Sequence, residues 1–307
     1  MSSMALRSKF LYPAKINWFP GHMAVARRQM LAQLDQVDVL IEVRDARIPW
    51  SSANPILEET FGKSKPRLVV FNKSDLANSN MQSRIEERCR QRDLSCLFYV
   101  GHQGPQDPVD PAVVQRAQRC AVQEDRRHDG HGRPASRTSA SRPSSTEFRR
   151  LSSSQKLSKG KKRAAVGPTP GVTVRNDIIK VNDKPAIYVV DTPGVMLPNV
   201  ESVDEGMRLA LTGAIKDDVI GKEVIADYML FKLNQMKSTR YVDALKLPGP
   251  TDDIQELLQH SLRFCSAVGK EPDVQKQLAA EFLLKEFRRG AFGQFTLDPV
   301  VVEPSSS

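Results

Sequence analysis

The sequence predicts an α/β fold: a three-layer domain built on a parallel sheet, followed by a small all-helical domain. Three observations carry this. Short apolar runs alternate with segments of helical periodicity over the first 100 residues. Two more apolar runs, at 177–181 and 186–190, follow after an interruption. Beyond Val203 only helical patterns remain. Strand–helix alternation requires crossover helices, and these cover both faces of a parallel sheet.

Taken in order, residues 24–36 carry Val25, Met30, Leu31 and Leu34 at helical spacing. Val37–Val43 is an apolar run ending in charge, which suits a buried strand. Pro55–Phe61 reads as a helix with proline at its start. Arg67–Phe71 is a second buried strand, Ser83–Arg92 a helix and Ser95–Val100 a third strand. Late helices are expected near 203–214, 223–237, 252–266 and 272–289.

Between these halves the texture changes. Residues 101–147 contain no Leu, Ile, Met, Phe, Trp, Tyr or Lys. Such a segment buries too little apolar area to offset its ordering entropy, so a disordered insert is the plain expectation. Residues 149–163 are basic, with Arg149, Arg150, Lys156, Lys159, Lys161, Lys162 and Arg163.

Composition bounds the function. The 307 residues are 40% hydrophobic and 26% charged, as in an ordinary globular protein. No apolar run approaches the ~20 residues that span a bilayer. Cys89, Cys96, Cys120 and Cys265 show no CxxC spacing, which argues against structural zinc or a disulfide framework. The net charge of +9 suits a phosphate-bearing partner, RNA or an anionic membrane surface. The first 34 residues lack Asp and Glu and carry Arg7, Lys9 and Lys15 among serines. That composition fits a mitochondrial import signal and equally a short tail.

The chemistry lies in three short patterns. Asn72-Lys73-Ser74-Asp75 follows a strand and matches NKxD, by which GTPases read guanine. A carboxylate at Asp75 accepts hydrogen bonds from the ring N–H and the exocyclic amine of guanine. Adenine offers no such pair, so the wrong base leaves the carboxylate unsatisfied. Asn72 would brace neighbouring loops, and Lys73 would lie along the base plane. On its own this is also an ordinary turn composition. Asp191-Thr192-Pro193-Gly194, directly after a strand, matches DxxG: Asp191 would hold Mg²⁺ and the Gly194 amide would sense the terminal phosphate. Thr173, eighteen residues before Asp191, stands where a switch threonine meets both Mg²⁺ and that phosphate.

The order of these patterns is unusual, because the base-reading motif precedes the switches. The chain therefore resembles the circularly permuted GTPases. Trp18-Phe19-Pro20-Gly21-His22-Met23 and Asp45-Ala46-Arg47-Ile48-Pro49 are similar to the WFPGHM and DARxP signatures of the bacterial ribosome biogenesis GTPase A family and its mitochondrial branch. Phe287-Arg288-Arg289-Gly290, and LALTGAIKD within Glu205–Asp217, resemble the close and the start of that family's helical domain. The likeness covers about 15–100 and 148–292.

The resemblance implies GTP and GDP as ligands, Mg²⁺ as cofactor and K⁺ bound through a loop asparagine. It implies the large ribosomal subunit and its rRNA as partners, and a monomer in the mitochondrial matrix or peripherally on the inner membrane. A cytoplasmic location is the alternative. It also implies that His22 activates or positions the attacking water, where a packing or capping histidine is the other reading. Val195 fits the family's apolar residue after DxxG. Asp45 and Arg47 suit holding a strand end better than chemistry. The expected domains are a tail or targeting segment at 1–17, a permuted GTPase domain at 18–200, a helical domain at 201–295 and a tail at 296–307.

One part is missing. A GTPase needs a glycine-rich loop whose amides cradle the phosphates, with a Lys and a Ser or Thr. No GxxxxGK[ST] occurs anywhere in the chain. Ala135–Thr146, however, has a legal codon spelling that translates in a shifted frame as G-I-P-N-V-G-K-S-T-L-I-N. That is a complete phosphate loop in the expected place. The other shifted frame allows an apolar Met-Met-Val-Met run at His128–Gly132 and S-A-T-K-D at Val100–Pro105. Residues from about 100 to 147 are therefore expected to be translated out of frame, through a gene-model or sequencing error or a real frameshift. As written, the chain would instead be a scaffold that binds ribosomal RNA or protein with little affinity for GTP.

Overall fold

The computed structural model describes residues 7–12, 37–54, 57, 66–101, 113, 115–117, 119, 149–153, 178–183, 186–191, 202–266 and 270–300. The first strand, β1 (Val39–Asp45), reads VLIEVRD and is almost wholly buried. Strand β2 (Arg67–Asn72) lies parallel beside it, with Leu40 opposite Arg67 and Asp45 opposite Asn72. Runs this apolar suit strands covered on both faces. The charges inside β1 are paired: Arg44 donates twice to Glu42 at 2.9 Å, and both side chains are buried.

After β2 comes helix α1 (Gln82–Gln91), which buries Ile85 and Cys89 against the sheet. Strand β3 (Ser95–Phe98) then pairs parallel with β2. Strands β4 (Arg149–Ser153), β5 (Ile178–Asp183) and β6 (Ala186–Asp191) complete the sheet. Its order is β3-β2-β1-β4-β6-β5, so the two halves of the chain meet at the β1–β4 seam. Among the described strands, only the β5–β6 pair is antiparallel. Residues 184–185 alone separate those strands, too few for a crossover.

Two findings depart from the sequence. Segment 101–147 is not without structure: Val113 and Ala117 are helical and buried against Val39, Ile41, Leu68 and Val70. Their i, i+4 spacing makes one small apolar face, sufficient to seat a helix on the sheet. Strand β4 also falls on the basic run, at a place where no apolar pattern announced a strand.

The helical part comprises α2 (Val203–Leu211), α3 (Asp217–Ile220), α4 (Lys222–Gln235), α5 (Arg240–Leu245), α6 (Ile254–Ser261) and α7 (Pro272–Arg288). Ser202 caps α2 by accepting from the Glu205 amide, and Asp253 caps α6 from the Gln255 amide. The short helices α3 and α5 lack enough turns to show a periodicity. Helix α4 is buried nearly all round, with Tyr228, Met229 and Leu233 at the centre of the core.

Both expected tails are partly anchored. The Arg7 guanidinium donates to both carboxylate oxygens of Asp227 and to Asp252. The Phe10 ring meets Tyr228 edge-on at 5.2 Å. Past α7, Leu297 and Asp298 are buried. Apolar and hydrogen-bonding partners on the helical core explain both attachments, and neither segment shows them by local pattern.

Candidate nucleotide site

The base-reading loop grows directly out of β2. Asn72 ends the strand, and its Oδ1 accepts from the Lys73 amide at 2.7 Å and the Gly101 amide at 2.9 Å. This one side chain therefore joins the ends of β2 and β3. Gly101 has to lack a side chain: a Cβ there would stand 2.9 Å from Asn72 Oδ1. The Ser74 amide and hydroxyl both donate to the Tyr99 carbonyl. Lys73 takes a left-handed conformation, φ 58° and ψ 37°, which turns the chain out of the strand.

Lys73 does not extend free of the protein. Its Nζ lies 3.2 Å from Asp45 Oδ2. Asp45 also accepts from the Arg47 amide, Nε and Nη2. Burial works against ionisation of Asp45, but the Arg47 hydrogen bonds and the charges of Arg47 and Lys73 outweigh it. The carboxyl is held below its ordinary range. Asp45 and Arg47 thus organise the loop, as their chemistry suggested, and their bond to Lys73 is a link that the sequence did not disclose.

Asp75 is the middle residue of a short 3₁₀ turn, Ser74–Leu76, and is exposed. Among the described residues nothing is hydrogen-bonded to its carboxylate. Its backbone carbonyl accepts from Gln294 Nε2 at 2.7 Å.

On the other side of the seam, β6 ends at Asp191, which leaves the sheet on the same carboxyl edge. In open α/β sheets ligands bind at that edge, at the switch point between the two halves. Asp191 pairs with Ser153, Ser153 with Ile41, and Ile41 with Leu68. Asn72 lies four residues beyond Leu68. At ~3.3 Å per residue, β1 and β2 rise about 13 Å above the ends of β4 and β6. Among the described residues the base-reading loop thus stands on the sheet's carboxyl rim, and Asp191 ends β6 on the same edge, further back along the strand direction. His22, Thr173 and Gly194 lie outside the described residues, and only the backbone of Asp191 is described.

Strand β4 lies at the centre of the sheet, between β1 and β6. Its sequence is RRLSS. Its neighbours read VLIEVRD and AIYVVD. A central parallel strand with both faces covered ordinarily reads as a continuous apolar run. This chain instead has two arginines and two serines in its central parallel strand.

Comparison with known proteins fits this geometry. The family model described as a 50S ribosome-binding GTPase matches residues 145–269. "Mitochondrial ribosome-associated GTPase 1" of Xenopus tropicalis is 33% identical over 96% of this chain and 99% of its own length. The Mus musculus protein of the same name is 33% identical over 93% of this chain and 90% of its own. "Ribosome biogenesis GTPase A" of Bacillus cereus is 32% identical over 92% and 93%. The GNP-bound crystal structure of YlqF from T. maritima covers 90% of this chain and 98% of its own, with TM-score 0.55 and 17% identity, a likeness of fold. An NKxD loop that precedes DxxG in the chain, one parallel sheet joining them, and this identity over almost the whole length place the chain in the circularly permuted ribosome biogenesis GTPase family, with the mitochondrial ribosome-associated GTPase 1 and ribosome biogenesis GTPase A proteins.

Proposed function

We propose that this protein binds and hydrolyses GTP as an assembly factor for the large subunit of the mitochondrial ribosome. The observation that carries the proposal is the carboxyl rim of the sheet: the exposed Asp75 follows β2 there, and Asp191 ends β6 on the same edge. Guanine would be held at the rim by Asp75, with Asn72 and Lys73 bracing the loop. Asp191 and Thr173 would hold Mg²⁺ at the terminal phosphate. One carboxylate and one hydroxyl are hard oxygen donors, and they fit an ion that takes its other ligands from water and phosphate. Bound Mg²⁺ would neutralise charge developing on the transferred phosphoryl group. The Gly194 amide would meet that phosphoryl group, and His22 would position the attacking water. K⁺ would bind only through the asparagine of the shifted-frame loop.

Ribosome and compartment come from kinship. Relatives named for mitochondria and for ribosome association support a mitochondrial site and a ribosomal partner. We place the protein in the matrix or on the matrix face of the inner membrane, as a monomer. No helix among the described residues is long and apolar enough to cross a membrane, and a peripheral contact with the inner membrane goes with this proposal. A net charge of +9 suits contact with rRNA phosphates. The boundaries given above, 18–200 for the GTPase domain and 201–295 for the helical one, go with this proposal.

A fluorescent GTP-analogue titration tests it. The literal chain is compared with a version carrying GIPNVGKSTLIN in place of residues 135–146. Clear binding and Mg²⁺-dependent hydrolysis are expected only after restoration. Equal binding by both would overturn the assignment of the loop. No binding by either would favour the scaffold. A tryptic peptide containing PNVGK from the native protein would establish the shifted frame, and one spanning Thr138–Arg142 as written would exclude an annotation error.

A further inference from the structure

The chain does not stop contributing to the site when α7 ends. Residues Gly290–Asp298 turn back and run across the base-reading loop. Gln294 Nε2 donates to the Asp75 carbonyl at 2.7 Å. The Phe295 amide donates to the Leu76 carbonyl at 3.0 Å. The Asn78 amide donates to Thr296 Oγ1 at 3.3 Å. Gly290, at φ 87°, stands so close that a Cβ would meet Leu76 Cδ2 at 2.8 Å. The same segment reaches the Asp45 loop, where the Leu297 amide donates to the Arg47 carbonyl at 2.7 Å. Asp298 accepts from the amides of Trp50 and Ser51. Its other face belongs to the helical core: Phe292, Phe295 and Leu297 are buried there, and the Phe295 ring stacks on Phe287 of α7.

We propose that Gly290–Asp298 is a positioning strap that holds the base-reading loop and makes guanine selectivity depend on the helical part of the chain. It rests on the proposed GTPase function. The physical case is simple. A carboxylate discriminates guanine only if its two oxygens are held where the ring N–H and the amine arrive together. Asp75 is exposed, and its own turn is three residues long. A loop this short leaves its carbonyls without partners of its own. The strap supplies them at Asp75 and Leu76, and Thr296 supplies an acceptor for Asn78. Because α7 carries the strap, a partner that shifts α7 alters the grip on the base without touching the nucleotide.

The test uses Gln294→Ala together with Thr296→Val. Neither side chain belongs to the core, so the fold is retained. Two readouts separate the strap from the GTPase function. In the nucleotide-free literal chain, amide exchange at Leu76 and Ala77 is followed; both amides bond within the loop and not to the strap. The double variant should exchange there about fivefold faster or more, the effect of losing two ordinary hydrogen bonds, with thermal unfolding lowered by no more than about 4 °C. In the loop-restored chain, the affinity ratio of GDP to IDP should fall about fivefold, since IDP lacks the exocyclic amine. A change in global stability alone, with the ratio and the loop exchange unmoved, would overturn the strap. If the restored chain binds no guanine nucleotide, the GTPase proposal fails, and the exchange at Leu76 and Ala77 still decides whether the strap holds the loop.

Discussion

Replacing Asp298 by alanine should cost the protein about 3 kcal/mol of stability. The carboxylate is 1% exposed and lies 3.3 Å from Arg208 Nη1. It accepts from the Trp50 amide at 2.7 Å, the Ser51 amide at 2.8 Å and the Ser51 hydroxyl at 2.5 Å. Hydrogen bonds to a charged group contribute roughly 1.5–3 kcal/mol each, and they do not add when they share one acceptor. Removing one partner of a buried ion pair typically costs about 3–5 kcal/mol, because the other charge is stranded. Arg208 keeps a second carboxylate, Asp204 at 3.5 Å, so the lower end applies. In a chain of this size about 3 kcal/mol lowers the unfolding midpoint by roughly 6–12 °C. Asp298→Asn retains one acceptor oxygen without the charge, and should fall between. Near-ultraviolet circular dichroism on heating measures all three proteins, with Trp50 reporting on the loop that Asp298 holds. A loss below about 1 kcal/mol for the alanine variant would refute the view that this carboxylate closes the C-terminal segment onto the 45–52 loop.

Four further outcomes follow from the same contacts. Asp75→Ala in the loop-restored chain should lower GTP affinity by roughly 10- to 100-fold and abolish preference for GTP over ITP in competition titrations, since two charge-assisted hydrogen bonds are lost. Gly101→Ala should push Asn72 off the Gly101 and Lys73 amides and cost about 1–3 kcal/mol for two bonds, read as weaker nucleotide binding and faster exchange at those amides. Asp45 and Asp204 are held below the usual carboxylate range, Asp45 by Arg47 and Lys73 and Asp204 by Tyr228 and Lys232, each against the effect of burial. Their stabilisation is fully present above the unfolded value of about 3.9 and is lost as pH falls from there through the folded values, so urea midpoints should drop as pH falls below about 4, and Arg47→Leu, by raising the folded Asp45 value, should make that drop smaller. Arg7→Ala removes the pairing with Asp227 and Asp252, and limited proteolysis should then cut at 7–12 well before the rest of the chain; unchanged cleavage would show that Phe10 and Tyr12 anchor the segment unaided.

Much of this protein is legible along the chain because its determinants are local. An apolar run such as Leu68–Phe71 can only be a covered strand, and Asn72-Lys73-Ser74-Asp75 directly after it carries its own chemistry. The strands other than β4 and the long helices α1, α2, α4 and α7 follow from their apolar patterns, because burial imposes them. The order of the two motifs was legible too, since it is a fact of the sequence, and so was the missing phosphate loop. What the sequence could not disclose is everything made by residues far apart in the chain. Asp45 meets Lys73 across a strand pair, Gly101 meets Asn72 between two loop ends, and Gln294 and Asp298 reach residues more than 200 positions away. None of these has a pattern, because a hydrogen bond between distant segments leaves no spacing to detect. The offset between the ends of β1 and β6 belongs to this class too: it is set by strand register, and register is decided only when the sheet assembles.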